Sequence, residues 1–353
     1  MTTMIVRDTS LYVDVVGRGD PVLLMHGGPG LDHVSLTAFR DLADRHTVVL
    51  YDHRCNGRST GAPVTSMTFE NLTADADALR EALAFDRWAV LGHSFGGHVA
   101  LEYALRYPER VSRLILLDTA GDARWSQENA ADVLAGRGFS PKTVAIARRF
   151  YSGRIAPKDF VRAAMRLLPA YDHRFSLVRL GRDMLEGGWR MKTRPEALVF
   201  GGQMMRGWSV MDRLGEIRVP TLVIAGRDDF LFPPESQALL AAGIPYARLR
   251  IIERAGHNPQ SERAAETLAA VGEFLAAAPR SAQLDDAVAM CAGRAMPELD
   301  RRVSPSSHRK RWAPVRSRSW GGSRRHLREP FSVQDTGGDT SLEGVVQPIL
   351  VSH

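Results

Sequence analysis

The chain has little that would staple, anchor or export it. Only two cysteines occur in 353 residues, Cys55 and Cys291, far apart in dissimilar segments, and that spacing argues against a disulfide framework or a cysteine-based zinc site. No apolar run reaches the roughly 18 residues needed to cross a bilayer. Residues 1–8 lack the basic-then-apolar layout of a secretory signal, so a cytoplasmic protein without membrane contact is expected. Repeats at solenoid periods are absent. Excess charge is also missing from most of the chain: of the formal +6, the stretch from Arg280 onward holds twelve Lys+Arg against eight Asp+Glu, and the rest carries 34 basic against 32 acidic residues. A nucleic-acid enzyme would carry its basic patch on the folded part. No nucleic-acid partner is therefore expected, and a basic tail touching RNA is the weaker alternative.

What is present is an apolar content of 44%, ample for one large α/β domain with an insertion or tail. Strand-like runs fall at 11–16, 21–26, 47–51, 88–91, 113–117, 221–225 and 248–252, most of them β-branched and bounded by Gly, Pro or Asp. Continuous runs such as Val22-Leu-Leu-Met25 and Leu222-Val-Ile-Ala225 predict strands buried on both faces, hence a mostly parallel sheet covered by helices. The turn residues of Val16-Gly-Arg-Gly-Asp-Pro21 predict a hairpin between the first two runs. Helices are expected over 68–84, 97–107 and 264–278. Between 120 and 215 strand signal gives way to helical patterning with interleaved aromatics, among them Trp125, Phe139, Phe150, Tyr151, Phe175, Trp189, Phe200 and Trp208. This predicts a helical cap above the strand ends, with most of these rings forming the cap's own core. The expected division is core 1–119, cap 120–215, core 216–279, and a basic, disordered extension 280–353.

The chemistry-bearing residues follow strands. Trp88 to Leu91 leads into Gly92-His93-Ser94-Phe95-Gly96, where an apolar strand breaks at a glycine-flanked serine and restarts as a helix. Such a turn strains the backbone, exposes the serine Oγ and places the Phe95 N–H at a helix start, where donors and dipole favour a developing negative charge. A serine hydroxyl needs a base and a group to orient it. Gly226-Arg-Asp228-Asp229 supplies a carboxylate after one strand, and Gly256-His257 a histidine after another. The order Ser94, Asp229, His257 suits a nucleophile, an orienting acid and a base, with Asp228 as a turn residue or outer partner. His26-Gly27-Gly28-Pro29-Gly30 offers a second oxyanion donor, Gly28 N–H first and Gly27 N–H as the alternative. His26 and His93 are expected to bond loop backbone rather than act as bases.

Taken together with Tyr51-Asp52-His-Arg54-Cys55-Asn-Gly57-Arg58-Ser59, these motifs resemble α/β-hydrolases of the prolyl-iminopeptidase type over roughly residues 4–279. The resemblance implies an α/β-hydrolase fold with a mostly parallel, eight-stranded-type sheet and an inserted helical cap. It also implies a cofactor-independent, metal-free serine hydrolase acting on a small molecule or short peptide through an acyl-enzyme, and assigns Asp52, Arg54 and residues 57–59 to bracing the oxyanion loop. Two departures stand out. Cys55 occupies a position where the family usually has glycine, and the cap lacks the Glu-Asn-His-Tyr-Phe-like stretch with which prolyl iminopeptidases hold a substrate ammonium. Glu128, Glu186 and Glu196 are the remaining candidates for that anchor, each more simply read as a surface charge. Release of an N-terminal proline or similar residue is the leading substrate class, and an ester, lactone or C–C bond hydrolase the alternative. A ligand-binding protein on the same scaffold is the non-enzymatic alternative.

Overall fold

The computed structural model describes residues 2–185 and 191–277. The expected extension 280–353, with Cys291, lies outside the described residues, as do Trp189 and Glu186. Eight strands form one sheet: β1 (Thr2–Val6), β2 (Thr9–Val16), β3 (Asp20–Met25), β4 (His46–Tyr51), β5 (Trp88–His93), β6 (Val111–Leu117), β7 (Thr221–Gly226) and β8 (Ala247–Ile252). Their order is β1-β2-β4-β3-β5-β6-β7-β8. β1 and β2 pair antiparallel to their neighbours, and every pair from β4 to β8 is parallel.

The predicted hairpin between the runs at 11–16 and 21–26 does not form. β4 lies between β2 and β3, and the hairpin instead joins β1 to β2 across Arg7 and Asp8, with Arg7 at φ 54°. The physical reason is burial. Val22 to Met25 are fully buried, so β3 needs parallel neighbours on both sides and a sheet interior, whereas half-exposed β2 suits the flank. Gly and Asp near 17–20 mark a turn but not the partner that follows it. β1 escaped the sequence reading because Thr2 to Ile5 are mostly exposed and show no apolar run.

Helices cover both faces. A 3-10 stretch (His33–Asp44) follows β3, α1 (Phe69–Ala82) follows β4, α2 (Phe95–Arg106) follows β5. The predicted helix 68–84 starts one residue later because Thr68 is its N-cap, its hydroxyl accepting from the Asn71 N–H. One face of the sheet packs Leu23, Val49, Val90, Leu116 and Val223 against α1 and α2; the other packs Leu24, Leu50, Leu91, Ile115 and Ile224 with Leu36, Phe39, Val271 and Phe274. This in-out alternation follows from the period of two along each strand.

Between β6 and β7 the described chain is helical: a π turn (Trp125–Asn129), α3 (Ala130–Gly136), α4 (Pro141–Tyr151), α5 (Phe160–Leu167), α6 (Leu177–Leu185) and α7 (Pro195–Met204). Phe150, Phe160, Leu134 and Leu167 form a third apolar cluster, with Trp125, Phe139 and Tyr151 packed against it. Phe200 and Trp208 instead join the sheet core, and Phe175 is exposed. The cluster takes in Phe230, Leu231 and Phe232 from the loop after β7, so the insertion shares its core with the loop that bears Asp229. After β7 come α8 (Pro234–Gly243), then β8, α9 (Pro259–Glu262) and α10 (Ala264–Ala276). Among the described residues no helix is long and apolar enough to cross a membrane.

Candidate active site

Ser94 sits between β5 and α2 at φ 55°, ψ −121°, a region that costs a non-glycine residue about 1–3 kcal/mol and persists only where the surroundings impose it. Here they do. The Ser94 N–H donates to Leu117 O at 2.9 Å, and its carbonyl accepts from Gly97 N and from Thr119 Oγ1, each at 2.9 Å. Close packing beneath completes the constraint: a Cβ at Gly96 would lie 2.0 Å from Met25 O and 2.6 Å from His26 O, both backbone atoms that cannot move aside. Gly96→Ala is therefore expected to destabilise by about 3 kcal/mol or more, read as a fall in Tm of roughly 10 °C. Gly136→Ala, where a Cβ meets nothing within 4 Å, is the control and should leave Tm unchanged or raise it slightly.

The loop after β7 and the loop after β8 bring two further side chains to this turn. His257 Nε2 lies 2.9 Å from Ser94 Oγ, and His257 Nδ1 lies 2.9 Å from Asp229 Oδ2. Asp229 is fully buried and His257 nearly so, while Ser94 stays partly open. The second oxygen of Asp229 accepts the Leu231 N–H at 2.8 Å. His257 is fixed from several sides: its N–H donates to Tyr171 O at 2.7 Å, its carbonyl lies 3.0 Å from His93 Nε2, and the rings of His93, Tyr171 and Phe232 pack on it. Glu262 at the end of α9 accepts the Gly256 and His173 N–H groups at 2.7 and 2.8 Å, which ties the loop bearing His257 to the segment around Tyr171.

Phe95 N–H is the first of α2, so it has no acceptor within the helix. Across from it, Gly27 lies so close that a Cβ there would meet Ser94 Cβ at 3.0 Å. Gly28 takes φ +62° in the turn closed by the Leu31 N–H to Gly28 O bond. Thus Phe95, next in the chain, and Gly27 border the serine, and Gly28 follows Gly27 in the same loop. The loop of residues 26–32 is held from the loop after β4: Asn56 Oδ1 accepts the Gly30 N–H, Asp52 accepts from the His33 and Arg58 N–H groups, and Arg58 pairs with Asp32 at 2.7 Å. Arg54 turns elsewhere, to Asp75 and Asp8. Burial works against its charge, but those two carboxylates outweigh it and keep the guanidinium protonated.

The histidines expected to be structural occupy structural places. His26 Nδ1 lies 2.9 Å from Gly27 O and its Nε2 accepts the His53 N–H; burial lowers its proton affinity. Burial, reinforced by His257, pushes His93 down to about 3. Both are neutral near pH 7 and face backbone. Asp228 lies 2.6 Å from His173 Nδ1 and makes no contact with His257 in the hydrogen-bond network. Cys55 keeps φ 62°, so it takes up the left-handed conformation that the family's glycine would supply. Its Sγ is buried against Ala62 O and Pro63 O, and burial raises the thiol's pKa, which leaves it unreactive.

Glu128 and Glu196 are exposed. No inward glutamate of the insertion appears among its described residues, and the rings around His257 are neutral: burial holds Tyr151 and Tyr171, whose hydroxyls meet at 2.8 Å, above the usual phenol range, Tyr171 at about 12. Among the described residues no group of His, Cys, Asp or Glu is arranged to hold a metal ion. Tyr171 O, Glu262 and Asp118, which follows β6, went unread in the sequence. A backbone carbonyl leaves no residue-type signal, and a lone carboxylate without a motif looks like any turn residue.

Comparison with known proteins identifies the fold family. The family model described as the alpha/beta hydrolase fold matches residues 20–264. A protein of Azorhizobium caulinodans, provisionally named carbamate hydrolase RutD, is 31% identical over 263 residues, covering 71% of this chain and 89% of that protein. The 2-hydroxy-6-oxo-6-phenylhexa-2,4-dienoate hydrolase of Comamonas testosteroni is 28% identical over 274 residues, covering 73% and 88%. The crystal structure of proline iminopeptidase from Mycobacterium smegmatis superposes with a TM-score of 0.62 at 26% identity, covering 78% of this chain and 97% of that one. The chain is an enzyme of the α/β-hydrolase fold family, with proline iminopeptidases among its relatives.

Proposed function

We propose that the chain is a serine hydrolase that cleaves a small, neutral acyl substrate, in which Ser94 attacks, His257 takes and returns the proton, and Asp229 orients His257. The observation that carries this reading is the unbroken hydrogen-bonded chain from Ser94 Oγ through both ring nitrogens of His257 to Asp229. Attack forms the Ser94 Oγ–acyl bond as the proton passes to His257 Nε2, and the imidazolium then protonates the leaving group as its bond breaks. Water, deprotonated by the same nitrogen, releases the acid. Phe95 N–H and Gly28 N–H, with Gly27 N–H as the alternative, hold the oxyanion in both steps. Residues 120–215 act as the cap over this site, between core segments 1–119 and 216–279.

An ester or other neutral acyl compound suits the site better than an N-terminal residue. A buried α-ammonium needs a facing carboxylate, and the two candidate glutamates among the described residues, Glu128 and Glu196, face solvent. The relatives' names run from carbamate and dienoate hydrolases to proline iminopeptidases, in keeping with one acyl-transfer core under different caps. The test compares short-chain p-nitrophenyl esters with prolyl and alanyl p-nitroanilides. Esters are expected to give kcat/KM at least about 100-fold higher, a gap of roughly 2.7 kcal/mol. Preference for the prolyl anilide would overturn the substrate class. Absence of all turnover, together with no fluorophosphonate label on Ser94, would overturn the hydrolase reading and favour a binding protein.

A further inference from the structure

On the reading that Ser94, His257 and Asp229 act together, we infer that Asp118 is a protonated carboxylic acid that donates its hydroxyl hydrogen to Asp229, a positioning residue behind the acid that orients His257. Asp118 stands just past the end of β6, next to β7 in the sheet, so the two loops that follow these strands bring its carboxyl beside that of Asp229. Both residues are fully buried. The backbone is bent to place it there: Asp118 adopts φ 43°, a left-handed conformation that aspartate tolerates at some cost, while its N–H still bonds Ile224 O.

Proton counting then decides its state. Asp118 Oδ1 accepts two hydrogens, from Gly226 N at 2.7 Å and from Gln237 Nε2 at 3.2 Å. Oδ2 is buried and receives none. An ionised Asp118 would therefore leave an anionic oxygen undonated in a dry site beside a second carboxylate, one of the costliest arrangements in a protein interior. Placing the proton on Oδ2 turns that oxygen into a donor and removes the like-charge repulsion. Asp229 is the acceptor that benefits, since its oxygens otherwise rest on the Leu231 N–H and His257 Nδ1 alone. Burial, with the Asp229 charge adding to it, raises the Asp118 carboxyl well above the usual carboxylate range, in the same sense. The arrangement keeps the Asp118 carboxyl neutral so that it can donate to the carboxyl beside it.

The experiment measures kcat and KM for an activated aryl ester from pH 5 to 9, and the rate of Ser94 labelling by a fluorophosphonate, in wild type, Asp118→Asn and Asp118→Ala. Asparagine keeps an acceptor for Gly226 and a donor for Asp229 without a charge. Its kcat is expected within about threefold of wild type, and the acid limb of its kcat/KM profile should not move. Alanine supplies no donor, and kcat and labelling rate should fall at least about tenfold, with KM little changed. An ionised Asp118 would stabilise the His257 imidazolium, so its removal in D118N would move the acid limb to lower pH. A shift of about 0.5 unit or more overturns the proposal, as does D118A with kcat within threefold. Should D118A not fold, the D118N profile decides alone. Failure of the underlying reading looks different: wild type would resist the fluorophosphonate, or Ser94→Ala would keep its activity.

Discussion

Ser94→Ala is expected to lower kcat for ester hydrolysis by about 10⁴- to 10⁶-fold while leaving the fold intact. The size follows from what is removed. Without Oγ there is no acyl-enzyme, and His257 can only activate water from a position arranged for a hydroxyl; the oxyanion donors and substrate binding remain and supply the residual rate. The intact fold follows from the local structure. Ser94 makes no side-chain capping bond to α2, and the tight elbow is held by its backbone N–H and carbonyl and by Gly96. Alanine keeps all of those, so its Tm should stay within a few degrees of wild type. His257→Ala should cost nearly as much, and the double variant no more than either single one, because the two groups work as one unit. A kcat for S94A above about 1% of wild type would remove Ser94 from the chemistry and, with it, the hydrolase mechanism proposed for this site.

The elbow, the acid and base loops and the parallel core were legible because each is written in residue types that the backbone requires. A serine between Gly92 and Gly96 after a buried strand, and Asp229 and His257 just past later strands, are local signals with local causes. The missed features depend on partners distant in sequence. The turn at 17–20 reads the same whether its strands pair with each other or are parted by β4, and only the buried position of β3 decides it. Asp118 is one aspartate at a strand end, and its meaning comes from Gly226, Gln237 and Asp229, about 110 residues away. Cys55 differs again: it stands where the family usually has glycine, yet the left-handed backbone is retained and the thiol fills buried space. The segment 120–215 was legible as helical, but its packing, which also recruits Phe230 and Phe232, was not.

Those buried histidines that flank the site predict the protein's response to acid. His93 and His98 are almost fully buried, and desolvation lowers each to about 3, so both fold neutral. In the unfolded chain each titrates near 6.5. Between these values the unfolded state binds more protons than the native state, so stability is fully present above pH 6.5 and is lost as pH falls toward 3. From pH 6.5 to 4.5 each histidine removes about 2.3 kcal/mol, together about 5 kcal/mol, against a total stability of roughly 5–15 kcal/mol. His53, also lowered by burial, acts in the same direction. Asp118, raised by burial, acts in the opposite one, since its native form already carries the proton that the unfolded chain takes up only near 3.8. Urea denaturation from pH 8 to 4.5 should therefore show no loss as pH falls from 8 to 7 and a net loss below 6.5, where the three histidines together outweigh Asp118. His98 offers the cleaner half of the test. It lies among Phe95, Trp208 and Phe232 with neither ring nitrogen hydrogen-bonded, so His98→Phe should raise stability at pH 7 and remove about 1.4 kcal/mol per pH unit from the slope between 6 and 4.5. A stability curve that stays flat to pH 4.5, or a slope that His98→Phe leaves unchanged, would mean that these imidazoles reach solvent or a partner in acid, and the dry, neutral surround assigned to the Ser94 site would have to be abandoned.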